Sequence, residues 1–382
     1  MKVIIIGAGI GGLCAAIALQ QQGVEVKVYE MTRVLKPVGA GVGLAANAIK
    51  GLEKIGLAQK VIKAGKALTA LQMKDERGSI ISDQNTSLLN KQNGEHNLVI
   101  HRAELHEILV QRLEKGTLHL GKRCKHIEQK KAKVYVHFSD EEKEEGDLLI
   151  AADGVHSAVR LQLMPYSKPR YAGYTCWRAV IENPGVTFDT MVSAETWAAQ
   201  GRVGMAALPN NRIYWYCCIK ANRNEEKMRR MTPIQLANYF RGVHEPIEAI
   251  LSATKPEEII WNDIIDIKPL SKFVFERVVL LGDAAHATTP NMGQGACQAI
   301  EDAIVLANCL KSQSNLGTAL ALYEKRRIKR TAKVIRLSRL IGYVSHWRHP
   351  LSRYFRNFVF RNMPEAIARK QMKWLLDVDF KE

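Results

Sequence analysis

Residues 2–30, KVIIIGAGIGGLCAAIALQQQGVEVKVYE, leave few folds open to this chain. The apolar run Val3–Ile6 suits a strand buried on both faces of a parallel sheet. It ends at Gly7, and Gly7, Gly9 and Gly12 make a GxGxxG turn, with Gly11 beside them, ahead of an apolar helical stretch. The first glycine permits the tight turn, the second lets backbone approach a pyrophosphate, and the third lets helix lie close on strand. The helix start then offers unpaired N–H groups and the positive end of its dipole to phosphates. VEVKVYE follows as a second strand, ending on Glu30, 18 residues beyond Gly12. A carboxylate there accepts hydrogen bonds from an adenosine ribose and repels a 2′-phosphate. Strand, turn, helix, strand and acid in that order predict a nucleotide-binding βαβ unit. By itself the unit serves NAD and FAD equally.

Residues 3–19 carry no charge, which raises the question of a leader or membrane anchor. Four glycines in that span weaken any isolated helix, and a strand follows at once, so a soluble cytoplasmic protein is expected. The seven cysteines form no CxxC pair and no even framework, which fits a reduced cytoplasm and points away from a metal site. At 382 residues and 47% hydrophobic, the chain has material for two or three domains. Its net charge of +17 favours anionic partners such as nucleotide cofactors or acidic small molecules. The surplus gathers in YEKRRIKRTAKVIRLSR, 323–339, which carries no nucleic-acid motif. This stretch is expected to form an amphipathic helix with a solvated basic face, with membrane-surface contact as the second reading.

Further along, GAGVG (39–43) is expected to be a second glycine-rich turn, and HRAELHEILVQRL (101–113) an amphipathic helix with Arg102 in its first turn. Residues 118–138 alternate as a small meander would, and GDLLIAADGVHSAVR (146–160) supplies a buried strand running into Asp153-Gly154. From Tyr171 to about Asp266 the pattern becomes antiparallel, in YTCWRAVI, GRVGMAAL and RIYWYCCIK, interrupted by a helical PIQLANYFRGVHEPIEAIL. RVVLLGDAAH (277–286) returns to the buried-strand pattern, and helices follow to the end. The expected architecture is α/β: a Rossmann-like nucleotide-binding domain with a parallel sheet, an inserted antiparallel-sheet substrate domain, and C-terminal helices. The first would take residues 1–70, 99–170 and 270–345, the second 71–98 and 171–269, and the last 346–382.

Three motifs stand in order: GxGxxG at 7–12, DGVHSAVR at 153–160 and GDAAHATTPNMGQG at 282–295. Together they resemble the single-component FAD-dependent aromatic hydroxylases, which include the p-hydroxybenzoate, salicylate, 3-hydroxybenzoate and urate hydroxylases and zeaxanthin epoxidase. The likeness implies that Asp283 holds ribityl hydroxyls and that Pro290 fixes a turn beneath the flavin. Gly293, Gln294 and Gly295 would open a helix aimed at the N1–C2=O edge of the ring. It also implies that Asp153 and Gly154 serve the pyrophosphate region and NAD(P)H docking, that Arg102 lies along the phosphate or ribityl portion, and that Arg33 supports the adenosine end. His286 and Thr289 would be local hydrogen-bond partners.

On the same resemblance, NADH or NADPH docks transiently and reduces FAD, O2 adds, and a C4a-hydroperoxide hydroxylates an aromatic or heteroaromatic substrate, expected to be anionic. Arg202 and Tyr214 would contact that substrate as catalytic residues. Trp177, Trp197, Trp215 and Tyr216 would either wall its pocket or pack the sheet. In the urate branch an aspartate is expected after the motif proline, where this chain has Asn291. Alternatives are an isoprenoid epoxidase, a urate hydroxylase, and a flavoprotein reductase without oxygen transfer.

Overall fold

The computed structural model describes residues 1–35, 39–85 and 97–380; the part of the expected sheet domain at 86–96 lies outside them. Strand β1 (Lys2–Ile6) runs into helix α1 (Ile10–Gln20) and back to β2 (Glu25–Glu30), which pairs parallel to β1. On the other side of β1 lies β3 (Leu148–Ala151), also parallel, with Ile5 opposite Ile150. Val3, Ile4 and Ile5 are fully buried, each contributing about 1.5–3 kcal/mol. The sheet is six strands wide, in the order Val274–Phe275, Val278–Leu280, β3, β1, β2, Leu118–Leu120. Only its Val274–Phe275 edge is antiparallel.

Leu118–Leu120 therefore belongs to the parallel sheet; the rest of the expected meander, Cys124–Lys130 and Lys133–Phe138, is joined by Lys143–Gly146 beyond it in a separate antiparallel sheet. The second glycine-rich segment also differs from expectation. Gly41–Leu44 is not a turn but a strand paired with Asn97–His101.

The second large sheet has seven strands. Its centre is built from β4 (Arg170–Glu182), β5 (Val192–Trp197), β6 (Arg202–Leu208) and β7 (Arg212–Lys220), in the order β4-β7-β6-β5. Ile260–Asp266 flanks β4, while Ala70–Asp75 and Ile80–Asn85 extend the sheet beyond β5. Side chains alternate between its two faces. Trp177, Ile213 and Trp215 turn to one side, where helices Pro233–Tyr239 and Ile247–Ala253 cover them. These two tryptophans are core, not pocket. The helical insertion foreseen as one segment is two short helices, the first closed by a Thr232–Gln235 capping box. Tyr174, Glu195, Trp197, Arg202, Tyr214 and Tyr216 share the opposite face.

The strand Val278–Leu280, here β8, leads into the Gly282-Asp283 turn. Helix α2 (Arg102–Val110) lies earlier in the chain, and α3 (Gly295–Ser312), α4 (Leu316–Ser345) and α5 (Pro350–Arg361) follow the turn. The basic stretch within α4 is not a simple solvated face. Arg327 is buried, bonding Asp302 through Nε at 2.6 Å and pairing with Glu301, and Arg330 Nε bonds Glu301 at 2.7 Å. No helix among the described residues is long and apolar enough to cross a membrane.

Candidate active site

At the start of α1 each glycine has its own reason. Gly7 has φ +103°, and a Cβ there would stand 2.3 Å from the Ala152 carbonyl oxygen. One on Gly12 would stand 2.1 Å from the Gly7 oxygen, the close helix–strand approach that the third motif glycine serves. Gly9 faces open space. Gly11 does not. A Cβ there would meet Leu281 Cδ2 at 2.7 Å and Ala299 Cβ at 3.0 Å, so this glycine lets α1 lie close on α3. Glu30 ends β2 with Oε2 accepting from the Ala8 N–H at 2.9 Å and Oε1 from Thr32 at 3.0 Å. Each carboxylate oxygen keeps a second lone pair for a ribose hydroxyl. Arg33 is exposed close by, its stem beside Gly121.

Asp153 follows β3. Its Oδ2 accepts from Val159 N–H at 3.3 Å, its Oδ1 is buried with no partner, and burial raises its carboxyl above the usual range. Gly154, at φ +78°, faces open space.

Across from these, Gly282 turns at φ +62° and Asp283 heads a single helical turn, Asp283–His286. Asp283 sits on the floor of a recess. Protein surrounds it, which raises its pKa against the pull of His286, Arg102 and Arg160, yet its surface still reaches solvent. Arg102 stands on the first residue of α2, near enough for its charge to act on that carboxylate. A short turn, Pro290–Met292, leads to Gly293 in the left-handed region at φ +62°. Helix α3 then begins at Gly295 with no side chain capping it. Gly293 faces open space, and a Cβ on Gly295 would meet only Thr288, at 3.9 Å. The Gln294 side chain is turned away, buried and accepting from Asn47 and Gln298 at 3.0 Å each, so only its backbone is left to serve a ligand.

This loop is clamped from below. Asp302 of α3 accepts from Gly282 N–H at 2.8 Å, His286 Nε2 at 2.5 Å and Arg327 Nε at 2.6 Å. Burial alone would raise the Asp302 carboxyl, but His286 and Arg327 outweigh it and hold it below its ordinary value. Thr289 is buried against Ser338 of α4, hydroxyl to hydroxyl at 2.9 Å.

The residues fit FAD. A ribose-accepting acid, a bare glycine where a pyrophosphate must approach, and an unpartnered Asp153 oxygen line one end. An open Asp283, a nearby arginine and an uncapped helix start at two glycines line the other.

On the facing sheet, the two residues expected to hold substrate do not meet. Arg202 pairs with Cys218 across β6 and β7, whereas Tyr214 lies opposite Ala206, an offset of roughly 13 Å along the strands. The Tyr214 ring lies on Gly41, where a Cβ would stand 2.4 Å from it. Arg202, 1% exposed, is held by other partners: Nη1 bonds Glu195 at 3.1 Å, and Nη2 bonds Asn291 and, at 3.7 Å, Cys218 Sγ. Its Nε has none. Glu195 also accepts from Trp197 Nε1 at 2.5 Å and from the Tyr216 hydroxyl. The Tyr174 hydroxyl bonds Asn291 Oδ1 at 3.0 Å, tying this face to the loop below Gly293.

His346, at the end of α4, stacks on Tyr174 with ring centres 4.4 Å apart. Its Nδ1 lies 2.7 Å from the Gly342 carbonyl, so that nitrogen carries the proton, and the buried Nε2 lone pair has no partner. Burial first, then the Arg202 charge, push its pKa down to about 3. Glu195, Tyr174 and His346 were not singled out in the sequence. The one available signal was Glu195, an acid placed on the inward alternation of VSAETW.

Residues 1–338 match the family model described as FAD binding domain. The chain is 35% identical to the aurachin C monooxygenase/isomerase of Stigmatella aurantiaca, over 95% of this chain and 94% of that one. It is 31% identical to the 2-heptyl-3-hydroxy-4(1H)-quinolone synthase of Pseudomonas aeruginosa, over 97% and 96%. The crystal structure of Klebsiella pneumoniae HpxO complexed with FAD and uric acid matches with a TM-score of 0.89 at 29% identity, covering 100% of this chain and 98% of that one.

Proposed function

Because this chain belongs to the family of flavoproteins built on that FAD-binding domain, we propose that it is an FAD-dependent, NAD(P)H- and O2-consuming monooxygenase of an uncharged nitrogen heteroaromatic. When bound, FAD supplies the redox chemistry and oxygen activation; the chain supplies binding, orientation and exclusion of water. Glu30 and Gly9 receive the adenosine and pyrophosphate end. Asp283 and Arg102 receive the ribityl chain. The Gly293–Gly295 backbone presents N–H donors at an uncapped helix start, where negative charge is stabilised by about 0.3–1 kcal/mol.

The observation that carries the substrate reading is the pairing of Arg202 with Glu195. Arg202, buried on this face, already has its charge matched by Glu195, so an anionic substrate must compete with that carboxylate. A neutral ring with hydrogen-bonding edges does not. It can take the spare Arg202 Nε–H as donor and the His346 Nε2 lone pair as acceptor. One relative is named for the synthesis of an alkylated hydroxyquinolone, a nitrogen heterocycle, and another as a monooxygenase/isomerase of aurachin C. Asn291 both donates and accepts but cannot carry off a proton. Oxidation of urate is the second reading, favoured by the likeness to the uric acid complex.

The test follows NADH and NADPH oxidation with 4-quinolones, hydroxypyridines, urate and phenolic acids, scoring products made under 18O2 by mass. One labelled oxygen in a quinolone or pyridine product is expected. Turnover of phenolic carboxylates alone would sink the reading, and labelled urate product alone would replace it.

A further inference from the structure

Helix α5 is built inside out. Leu351, Tyr354, Phe355, Phe358 and Val359 recur at the spacing of one helical stripe, the face that ordinarily turns to a core. Here they range from 43% exposed at Val359 to 73% at Leu351, and the only buried residue of the helix is Arg356. The docked side carries the arginines, with Phe360 edge-on to the Trp197 ring at 5.2 Å beside them. Arg356 lies over the Trp197 ring at 4.9 Å and bonds the Ser345 carbonyl at 3.3 Å, Arg353 pairs with Glu76, and Arg361 pairs with Asp75 at 2.7 Å. Ion pairs thus hold the helix on the substrate sheet with its apolar stripe pointing away from the body. Leu340 and Tyr343 of α4, 56% and 70% exposed, and Ile367 beyond α5, 50%, add to the apolar surface on neighbouring elements.

Apart from Asp75 and Glu76, which the docked side engages, the charge around this stripe is largely positive. Residues 340–374 contain seven Lys and Arg against a single acid, Glu365, which Arg369 engages at 2.5 Å. Exposed Arg348 precedes the stripe, and exposed Lys370 and Lys373 follow it. A second copy of the chain would bring the same positive charge to the contact. An anionic lipid surface brings the complement, and an exposed stripe of Leu, Phe, Tyr and Val with basic flanks is what an interfacial helix presents to it.

We propose that α5 docks the protein on anionic bilayer surfaces, lying in the headgroup plane with Leu351, Tyr354, Phe355 and Phe358 inserted. This goes beyond the proposed reaction and does not depend on its substrate. It also moves the contact from where the sequence suggested it, residues 323–339, to the helix after them. The docked helix is one side chain from the substrate face, since Trp197, beneath Arg356, donates its indole N–H to Glu195.

The experiment is flotation of the FAD-loaded protein with vesicles of phosphatidylcholine alone or with 30% phosphatidylglycerol, at low and high salt. Binding to the anionic vesicles at least tenfold stronger than to neutral ones, weakened by salt, is expected. Phe355→Ser with Phe358→Ser should lower that binding tenfold or more while FAD content and turnover of soluble substrate stay unchanged; Leu351→Ser alone should lower it less. Equal partition of parent and double variant would overturn the proposal. So would a salt-resistant dimer that the double variant dissolves, which would assign the stripe to a second copy.

Discussion

Replacing Glu195 by glutamine tests the central feature of the site. The substitution keeps shape and one acceptor oxygen but leaves the Arg202 guanidinium, whose side chain is 2% exposed, without its counter-ion. Breaking a buried pair from one side costs on the order of 3–5 kcal/mol. Asn291 and Cys218 still accept from Nη2, which places Glu195→Gln near the lower end, at about 3 kcal/mol. Unfolding entropy of about 2.1 cal/mol/K per residue, over 382 residues, converts this to a Tm lower by roughly 4 °C. Ligand preference should shift as well. With its charge unmatched, Arg202 should bind benzoate at least tenfold more tightly than in the parent, a change of about 1.4 kcal/mol. Thermal unfolding of the FAD-loaded protein and benzoate titration by flavin absorbance read the two effects. A Tm within one degree of the parent together with an unchanged benzoate Kd would refute the idea that Glu195 neutralises Arg202.

Asp283→Ala removes the acid at the floor of the recess. The loss of charge-assisted hydrogen bonds, about 1.5–3 kcal/mol, should weaken FAD binding roughly 10- to 150-fold, read by fluorescence titration of the apoprotein; a variant that purifies fully yellow would refute its role. His346 sets a pH dependence. Its folded pKa of about 3 lies below the ordinary 6.5, so the unfolded chain takes up a proton as pH falls through 6.5 while the folded chain does not. The contribution is complete above that pH and is eroded below it, by about 1.4 kcal/mol per pH unit. His346→Phe should flatten the stability profile between pH 6 and 4 by about that slope, measured by urea unfolding.

The nucleotide-binding half is legible in the sequence because its constraints are local. Gly7 needs its positive φ, Gly12 its close approach to Gly7, and Glu30 its place at a strand end, and all fall within thirty residues. The same holds for Gly282, Asp283 and Gly293. Where the reading slipped, distant partners decided the outcome. GAGVG has turn composition, yet its backbone pairs with Asn97–His101 more than fifty residues later. Arg327 lies in a basic run that looks solvated until Glu301 and Asp302 of another helix close on it.

The substrate face was less legible for the same reason. Local sequence identifies Arg202 as a cation on a strand, but whether it is a free cation depends on Glu195 of the adjacent strand and Asn291 of the turn before α3. Those two contacts make it half of an internal ion pair, which nothing in its own strand shows. Helix α5 repeats the lesson with the opposite sign. Its apolar stripe, read alone, belongs to a core, and only the arginines that dock its other side reveal that it faces out. In both places the side-chain chemistry is set by sequence, while its use is set by which charges the fold brings opposite it. Glu195 and Trp197 lie at the junction of the two. A perturbation of the docked face of α5 at Arg356 should therefore reach Arg202, whereas one on its exposed stripe should not.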